Sequence, residues 1–465
     1  MKPYRARVAP TSQKQPAPPA EKNAWTARRL ACEILTEAEK EKFYLDQILE
    51  RRLAQTSLPA ADRALVTALT HGVMRARARL DVELIQHFRK NYETAPAHLR
   101  NALRTALFQM RFMDRIPAYA AIHEAVALVR EKLGENLARL CNAVLRSAQR
   151  APYVWPPVED VLAQDDLPGL SGSLSYPEWL IVRWLAQYGA SETLALAQAC
   201  NEIPDLHLRV VHPDQNTETV LRELRRERIA YAPVPQVPEV YKLAHADQIA
   251  ALSSFRNGAC TVQDASTCLV ASLAAPKASE TIIDLCAAPG GKALHLAELA
   301  APGKVIAIDL RAQRLRLLVA AAQRMKLCVH ALVSDARYFA ASPADVVLVD
   351  APCSGLGVLG RRSDLRWRRK PEDIPLLVHL QKEILANAAQ LVKIGGRLIY
   401  STCTIAPEEN EEIVAWFLQE HPLFLLQPAR DFLPASFCDE SGFVRTWPHR
   451  HGMDGSFAAR FMKAS

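Results

Sequence analysis

Between residues 24 and 150 apolar positions recur every three or four residues, without strand-like alternation. The segments AWTARRLACEILTEAEK, ADRALVTALTHGVMRARARLDVELIQHFRK, HLRNALRTALFQMRFM, AAIHEAVALVREKLG and ENLARLCNAVLRSAQR carry this pattern. They predict five or six helices with short links, interrupted at Pro117, and so an all-α bundle. The pattern changes after Arg150. APYVWPP and DLPGLSGSLSYP read as a linker or the edge of a new unit. SYPEWLIVRWLAQYG and ASETLALAQACN are again helical, DLHLRVV is a strand, and TVLRELRRERIAYAPV is a helix followed by a strand. This makes a small α/β middle unit. From Gly258 the runs TIIDLC, KVIAID, VHALVS, DVVLVD and RLIYST alternate with helical stretches, which predicts a doubly wound, Rossmann-like parallel sheet. The expected division is a tail over 1–22, a helical domain over 23–150, a linker with a small α/β subdomain over 151–257, and the Rossmann-like domain over 258–465.

Composition adds a class. With 49% apolar and 23% charged residues in 465, the chain is an ordinary globular one. Its net charge of +7 is unevenly spread. Residues 1–150 hold 26 Lys and Arg against 15 Asp and Glu, whereas the remainder holds 31 against 35. A basic front on a near-neutral body suggests a polyanionic partner, with an Arg-rich solvated helical surface as the alternative. The first 22 residues lack the apolar stretch of a signal peptide and read as a disordered basic tail. No run reaches the 18 or so apolar residues that a membrane span needs. The ten cysteines show no C-x-x-C pair, which argues against a zinc site, any other metal centre or a disulfide framework. Reduced thiols and a cytoplasmic location are expected.

The first strand of the C-terminal domain runs into Cys286-Ala287-Ala288-Pro289-Gly290-Gly291-Lys292 and then a helix. Adjacent glycines allow a tight turn and close approach of a ligand, and the helix start adds N–H donors. The spacing fits neither a dinucleotide fingerprint nor a P-loop. The second strand ends in Asp309, where such folds hold ribose hydroxyls, and the third leads to Asp335. Either acid alone is more simply a helix cap. Together with the Gly-Gly turn they favour a bound nucleoside, and without a pyrophosphate loop S-adenosylmethionine fits better than NAD or ATP.

The fourth strand ends in Asp350-Ala351-Pro352-Cys353 and the fifth in Ser401-Thr402-Cys403. Both loops belong at the same carboxyl edge of the sheet, so two thiols and a carboxylate should converge beside the cofactor. Cys32, Cys141, Cys200, Cys260, Cys268, Cys328 and Cys438 read as inert buried residues. A thiolate suits methylation of a pyrimidine. Adding to C6, it pushes electron density to C5, which then attacks a sulfonium methyl. Lys292 would favour the thiolate, and the Asp350 carboxyl would face ring nitrogen N3.

DLCAAPGGK, VIAIDL, SDAR, DAPCSGLG, YSTCT with PEEN, and DGSFAARF resemble the motif series of the RNA m5C methyltransferases of the Sun/Fmu family, over about residues 170–465. The resemblance implies that Cys403 is the nucleophile and that Cys353 assists product release. It implies S-adenosylmethionine bound by Cys286 to Lys292, Asp309, Asp335 and Asp350. ADRALVTALTHGVMR, LRTALFQMRFMDRIPAYAAIHEAV and NAVLR resemble NusB-like RNA-binding domains, found in the bacterial 16S rRNA members of the family. The implied partner is 16S rRNA, free or in an early small-subunit particle, met by a monomer. The sequence departs from the family pattern at Cys268, Ser363 and Ser456. The segment Arg361-Arg362-Ser363-Asp364-Leu365-Arg366-Trp367-Arg368-Arg369-Lys370 follows Cys353, and cations interleaved with Trp suit phosphate contacts and base stacking. Arg222 to Arg228 reads as a solvated helix face. A tRNA methyltransferase, a non-catalytic NusB-like RNA-binding factor and a methyltransferase of small molecules or proteins are the alternatives. The last two leave the paired thiols unexplained.

Overall fold

The computed structural model describes residues 26–40, 43–88, 91–244 and 249–465. The expected N-terminal tail lies outside them. Contacts divide the chain into two compact units, one of residues 1–202 with 359–368, the other of 203–358 with 369–465.

The first unit is helical. Ala27–Ala38, Leu45–Ala54, Ala60–Arg75, Arg77–His87, Ala97–Phe112, Ala118–Leu133 and Glu135–Arg150 make seven helices where five or six were expected, the addition being Leu45–Ala54. Their apolar stripes close one core through Leu30, Ile34, Leu69, Leu103, Leu107 and Leu145. The segment DLPGLSGSLSYP, read as a linker or the edge of a new unit, holds the helix Leu167–Leu174, started by Asp166, whose side chain accepts from the Gly169 N–H. The reason is packing. A Cβ at Gly172 would sit 3.0 Å from a Val82 methyl, so glycine lets the two helices close. The long helix Glu178–Asn201 bends at Gly189, whose φ of 74° is left-handed.

The second unit carries two sheets. The smaller has the order β2-β3-β1-β4, from Leu206–Val210 (β1), Tyr231–Val234 (β2), Val237–Leu243 (β3) and Cys260–Val262 (β4), crossed by the helix Pro213–Arg226. The larger has a spine of Thr281–Asp284 (β5), Lys304–Asp309 (β6), Val329–Val333 (β7), Ala344–Asp350 (β8) and Val392–Thr402 (β9). These five pair in parallel in the order β9-β8-β5-β6-β7. Phe424–Gln427 (β10), Val444–Thr446 (β11) and Ser456–Lys463 (β12) extend the β9 side antiparallel, so the sheet is mixed rather than purely parallel. Both faces are covered, which is why its strands read as unbroken apolar runs. Along β8, Val346 and Leu348 join the core containing the helices Ala265–Ala274 and Gly291–Leu299, while Val347 and Val349 join the core containing Asp373–Gln390 and Glu411–Glu420.

Candidate active site

Strand register builds the site. Asp350 ends β8 level with Ser401 of β9. Three residues past Asp350 comes Cys353, and two past Ser401 comes Cys403, so both sulfurs leave the sheet at one edge and lie 3.4 Å apart. Asp350 is fixed from two sides: Ser401 Oγ donates to its Oδ1 at 2.7 Å, and Lys292 Nζ lies 2.8 Å from its Oδ2. Burial alone would discharge Lys292, but Asp350 and the nearby Cys403 sulfur raise its pKa above the usual lysine value. The Cys353 thiol is pushed well above the ordinary cysteine range, first by its hydrogen bond to Cys403 and then by burial. The two sulfurs are within hydrogen-bond reach, and either thiol can donate.

On the same edge, β5 leads into the turn before the helix Gly291–Leu299. Gly290 has φ of +117°, and a Cβ there would meet Leu318 Cγ at 2.8 Å, so the turn needs glycine. Asp309 accepts from the Ala288 N–H at 3.3 Å and from the Arg311 N–H at 2.9 Å. The next helix, Ala312–Met325, has Arg311 at its N-cap, so Asp309 ties two strand-end loops rather than capping that helix. Asp335 turns back onto its own loop, holding Arg337 through the backbone N–H at 3.0 Å and the guanidinium at 2.7 Å. That hydrogen-bonded guanidinium lowers the Asp335 pKa. Cys286, at the start of the turn, has its thiol pushed well up by burial.

Sequence reasoning passed over several residues here. Asp284 ends β5 fully buried, accepting from the Cys286 N–H at 3.2 Å, with Oδ2 lacking any hydrogen-bond partner. Burial, reinforced by Asp350, pushes its carboxyl up to about 8. The signal was its place at a strand end, equivalent to Asp309 and Asp350. Gln263, also buried, sets its amide against the Gly291 backbone and leaves Nε2 unpartnered. Glu409 and Asn410, within PEEN, bond to both cysteine loops.

The basic segment after Cys353 is a correction. Residues 359–368 pack with the helical unit. Arg366 is 0% exposed. Its guanidinium donates to the carbonyls of Arg75, Ser175, Cys200 and Leu359 and to Asn201 Oδ1. Trp367 Nε1 donates to the Met74 carbonyl at 2.7 Å, and its ring packs on the helical core. Arg366 cannot reach RNA, because it is buried and both its terminal nitrogens go to acceptors of the fold, whereas Trp367 is partly exposed. Arg362 and Arg368 both lie over the Tyr44 ring, at 4.5 and 4.6 Å. Arg361 is partly exposed. Arg369 donates to the carbonyls of Ser354 and Cys353, at 2.8 and 3.2 Å, and so fixes the cysteine loop. Cys328, read as buried, is exposed, and Cys438 is partly so. Arg222 and Arg225 both pair with Glu218 on a solvated face. The departures Cys268, Ser363 and Ser456 are all buried. Among the described residues no cluster of three or more His, Cys, Asp or Glu could hold a metal, and no helix is long and apolar enough to cross a membrane.

A doubly wound sheet with a glycine turn, strand-end acids and facing thiols at one edge defines an enzyme of the Rossmann-like methyltransferase class. The family model described as 16S rRNA methyltransferase RsmB/F matches residues 271–462, the NusB family matches 26–150, and a ferredoxin-like domain of RsmF/B-like methyltransferases matches 176–250. A probable ribosomal RNA small subunit methyltransferase B of Bacillus subtilis is 34% identical, over 94% of this chain and 99% of that one. Its counterpart in Synechocystis is 35% identical, over 94% and 100%. The crystal structure of PH0851 superposes with a TM-score of 0.79 at 28% identity, covering 95% of this chain and 100% of that one. The chain belongs to the RsmB/F family of rRNA methyltransferases.

Proposed function

We propose that the protein transfers a methyl group from S-adenosylmethionine to carbon 5 of a cytosine in 16S rRNA, with Cys403 bound covalently to C6 during transfer. The observation that carries this reading is the pair of thiols 3.4 Å apart beside the Lys292–Asp350 ion pair. A small-molecule or protein methyltransferase has no use for two sulfurs in that place.

The residues fit the cofactor. The Gly290-Gly291 turn has no room for a side chain at Gly290, and the unpartnered Asp284 Oδ2 and Gln263 Nε2 are buried polar atoms in the segments flanking the turn. Cys286 to Lys292, Asp309 and Asp335 would hold it. Bound there, S-adenosylmethionine supplies an electrophilic methyl on a sulfonium sulfur.

The Cys403 thiolate, attracted by the Lys292 ammonium, adds to C6 and makes C5 nucleophilic. Asp350, anchored by Lys292 and Ser401, faces the ring nitrogen on which charge develops. After methylation a base takes the C5 proton, the C6–sulfur bond breaks and Cys403 leaves as thiolate, which restores the aromatic ring. Cys353, whose sulfur lies 3.4 Å from that of Cys403, donates its S–H to the departing thiolate and so stabilises it. The target base must be unstacked to reach this centre.

The substrate is rRNA rather than tRNA because the NusB-like helical part accompanies the catalytic domain. Its basic surface, with Arg361, Arg362 and Arg368, supplies phosphate contacts. The protein acts as a cytoplasmic monomer on free 16S rRNA or an early particle. Bisulfite sequencing of 16S rRNA from a deletion strain, with and without the gene restored, tests the reading. One cytosine should lose its protection and regain it, and an unchanged 16S pattern would refute it.

A further inference from the structure

The two sulfurs sit on loops from different strands, so something must fix their separation. Glu409 ends the short turn Pro407–Glu409, and Asn410 follows it. Both are fully buried. Glu409 Oε1 accepts from the Ser354 N–H at 2.8 Å, and its Oε2 accepts from the Ser354 hydroxyl. That hydroxyl also lies 2.7 Å from the Thr404 hydroxyl. Ser354 adjoins Cys353, and Thr404 adjoins Cys403. Asn410 holds the second loop on both sides of its cysteine, accepting from Thr402 Oγ1 at 2.6 Å and donating to the Thr404 carbonyl at 3.0 Å. Gln381 closes the first loop, donating to the Pro352 carbonyl at 2.9 Å and to Glu409 Oε1 at 3.0 Å.

We infer that Glu409 is a positioning residue, which with Asn410 clamps the Cys353 and Cys403 loops together and so sets the spacing of the two sulfurs. Among the described residues no Lys or Arg pairs with the Glu409 carboxylate, and burial raises its pKa above the usual glutamate value. A buried carboxyl without a counter-ion is costly, so apolar packing would serve stability better. What the carboxyl provides is two acceptor oxygens at once, and here one serves the backbone N–H and the other the hydroxyl of Ser354. Tyr400 adds a bond to the Glu409 carbonyl at 2.6 Å, which fixes the clamp to β9.

This inference rests on the proposed roles of the two cysteines, so its test needs a readout independent of methyl transfer. Cys403 alkylation by iodoacetamide at pH 7, followed by peptide mass spectrometry, is such a readout. Glu409→Ala should slow it about fivefold, and Cys353→Ala should do the same, because the first displaces and the second removes the thiol beside the Cys403 sulfur. In Glu409→Ala, kcat should fall about 100-fold with KM for S-adenosylmethionine within about threefold of wild type. Glu409→Gln, which keeps the shape, should recover to within about tenfold of wild type. Should Glu409→Ala not fold, Ser354→Ala gives the same test, with kcat down about tenfold. Wild-type alkylation and kcat in folded Glu409→Ala, or in Ser354→Ala, would overturn the clamp, as would equal losses in the Ala and Gln variants. Failure of the covalent reading itself looks different: Cys353→Ala, with Glu409 intact, would form no RNA adduct.

Discussion

The Cys353 sulfur lies 3.4 Å from the Cys403 sulfur, across 50 residues of sequence. The register that aligns Asp350 with Ser401 brings both cysteine loops to one edge of the sheet. One thiol is proposed to attack and the other to assist release, so the two cysteines should respond differently to substitution. Cys403→Ala should abolish methylation and leave S-adenosylmethionine affinity within about threefold. Cys353→Ala should accumulate a protein–RNA adduct, seen as a shifted band on a denaturing gel. If Cys353→Ala is fully active and Cys403→Ala also turns over, the covalent mechanism is wrong.

Arg366 is expected to matter for folding rather than RNA affinity. Truncation to Ala would leave four carbonyls and the Asn201 side chain without their buried donor. The expected cost is about 3 kcal/mol or more, read by urea denaturation. RNA affinity of the folded fraction should stay within about twofold of wild type. A well-folded variant with tenfold weaker RNA binding would restore the nucleic-acid reading.

Asp284 makes stability depend on pH. Its folded pKa of about 8 lies above its unfolded value, so the unfolded chain releases the proton first. The contribution is fully present below the unfolded pKa near 4 and is lost as pH rises through about 8. Asp284→Asn removes this loss. Its melting temperature relative to wild type should climb steadily from pH 5 to pH 8 in cofactor-free protein. Parallel pH curves for the two proteins would show that Asp284 is already ionised.

The basic helical unit should govern the salt dependence of RNA binding. Arg139, Arg146 and Arg150 are exposed on one helix, Glu135–Arg150. Replacing all three by Gln should reduce the slope of log affinity against log salt by about 1–3, if each meets a phosphate. An unchanged slope would move the docking surface elsewhere.

Much of this was legible from the chain. The parallel strands and their helices follow from period-2 and period-3.6 patterning, and the converging strand ends follow from topology. What escaped notice depended on tertiary context. DLPGLSGSLSYP has loop composition, yet Gly172 is there because Val82 needs the space. Arg366 and Trp367 look like a nucleic-acid patch because an arginine satisfying buried carbonyls has the same letter as one meeting phosphate. The antiparallel β10, β11 and β12 follow no crossover pattern and were missed for that reason. Glu409 stood inside a motif already noticed, but only coordinates show that it and Asn410 together hold both loops.

Residues 359–368 belong to the helical unit although they are encoded between Cys353 and Arg369 of the catalytic one. During synthesis, the unit that starts first therefore waits for a ten-residue piece made more than 150 residues after its own last helix. A gene fragment ending at residue 202 would encode a bundle lacking the Arg366 plug. One beginning at residue 203 would carry that plug with nothing to fill. Any recombination or truncation that treats the two units as modules must carry this short segment across the cut.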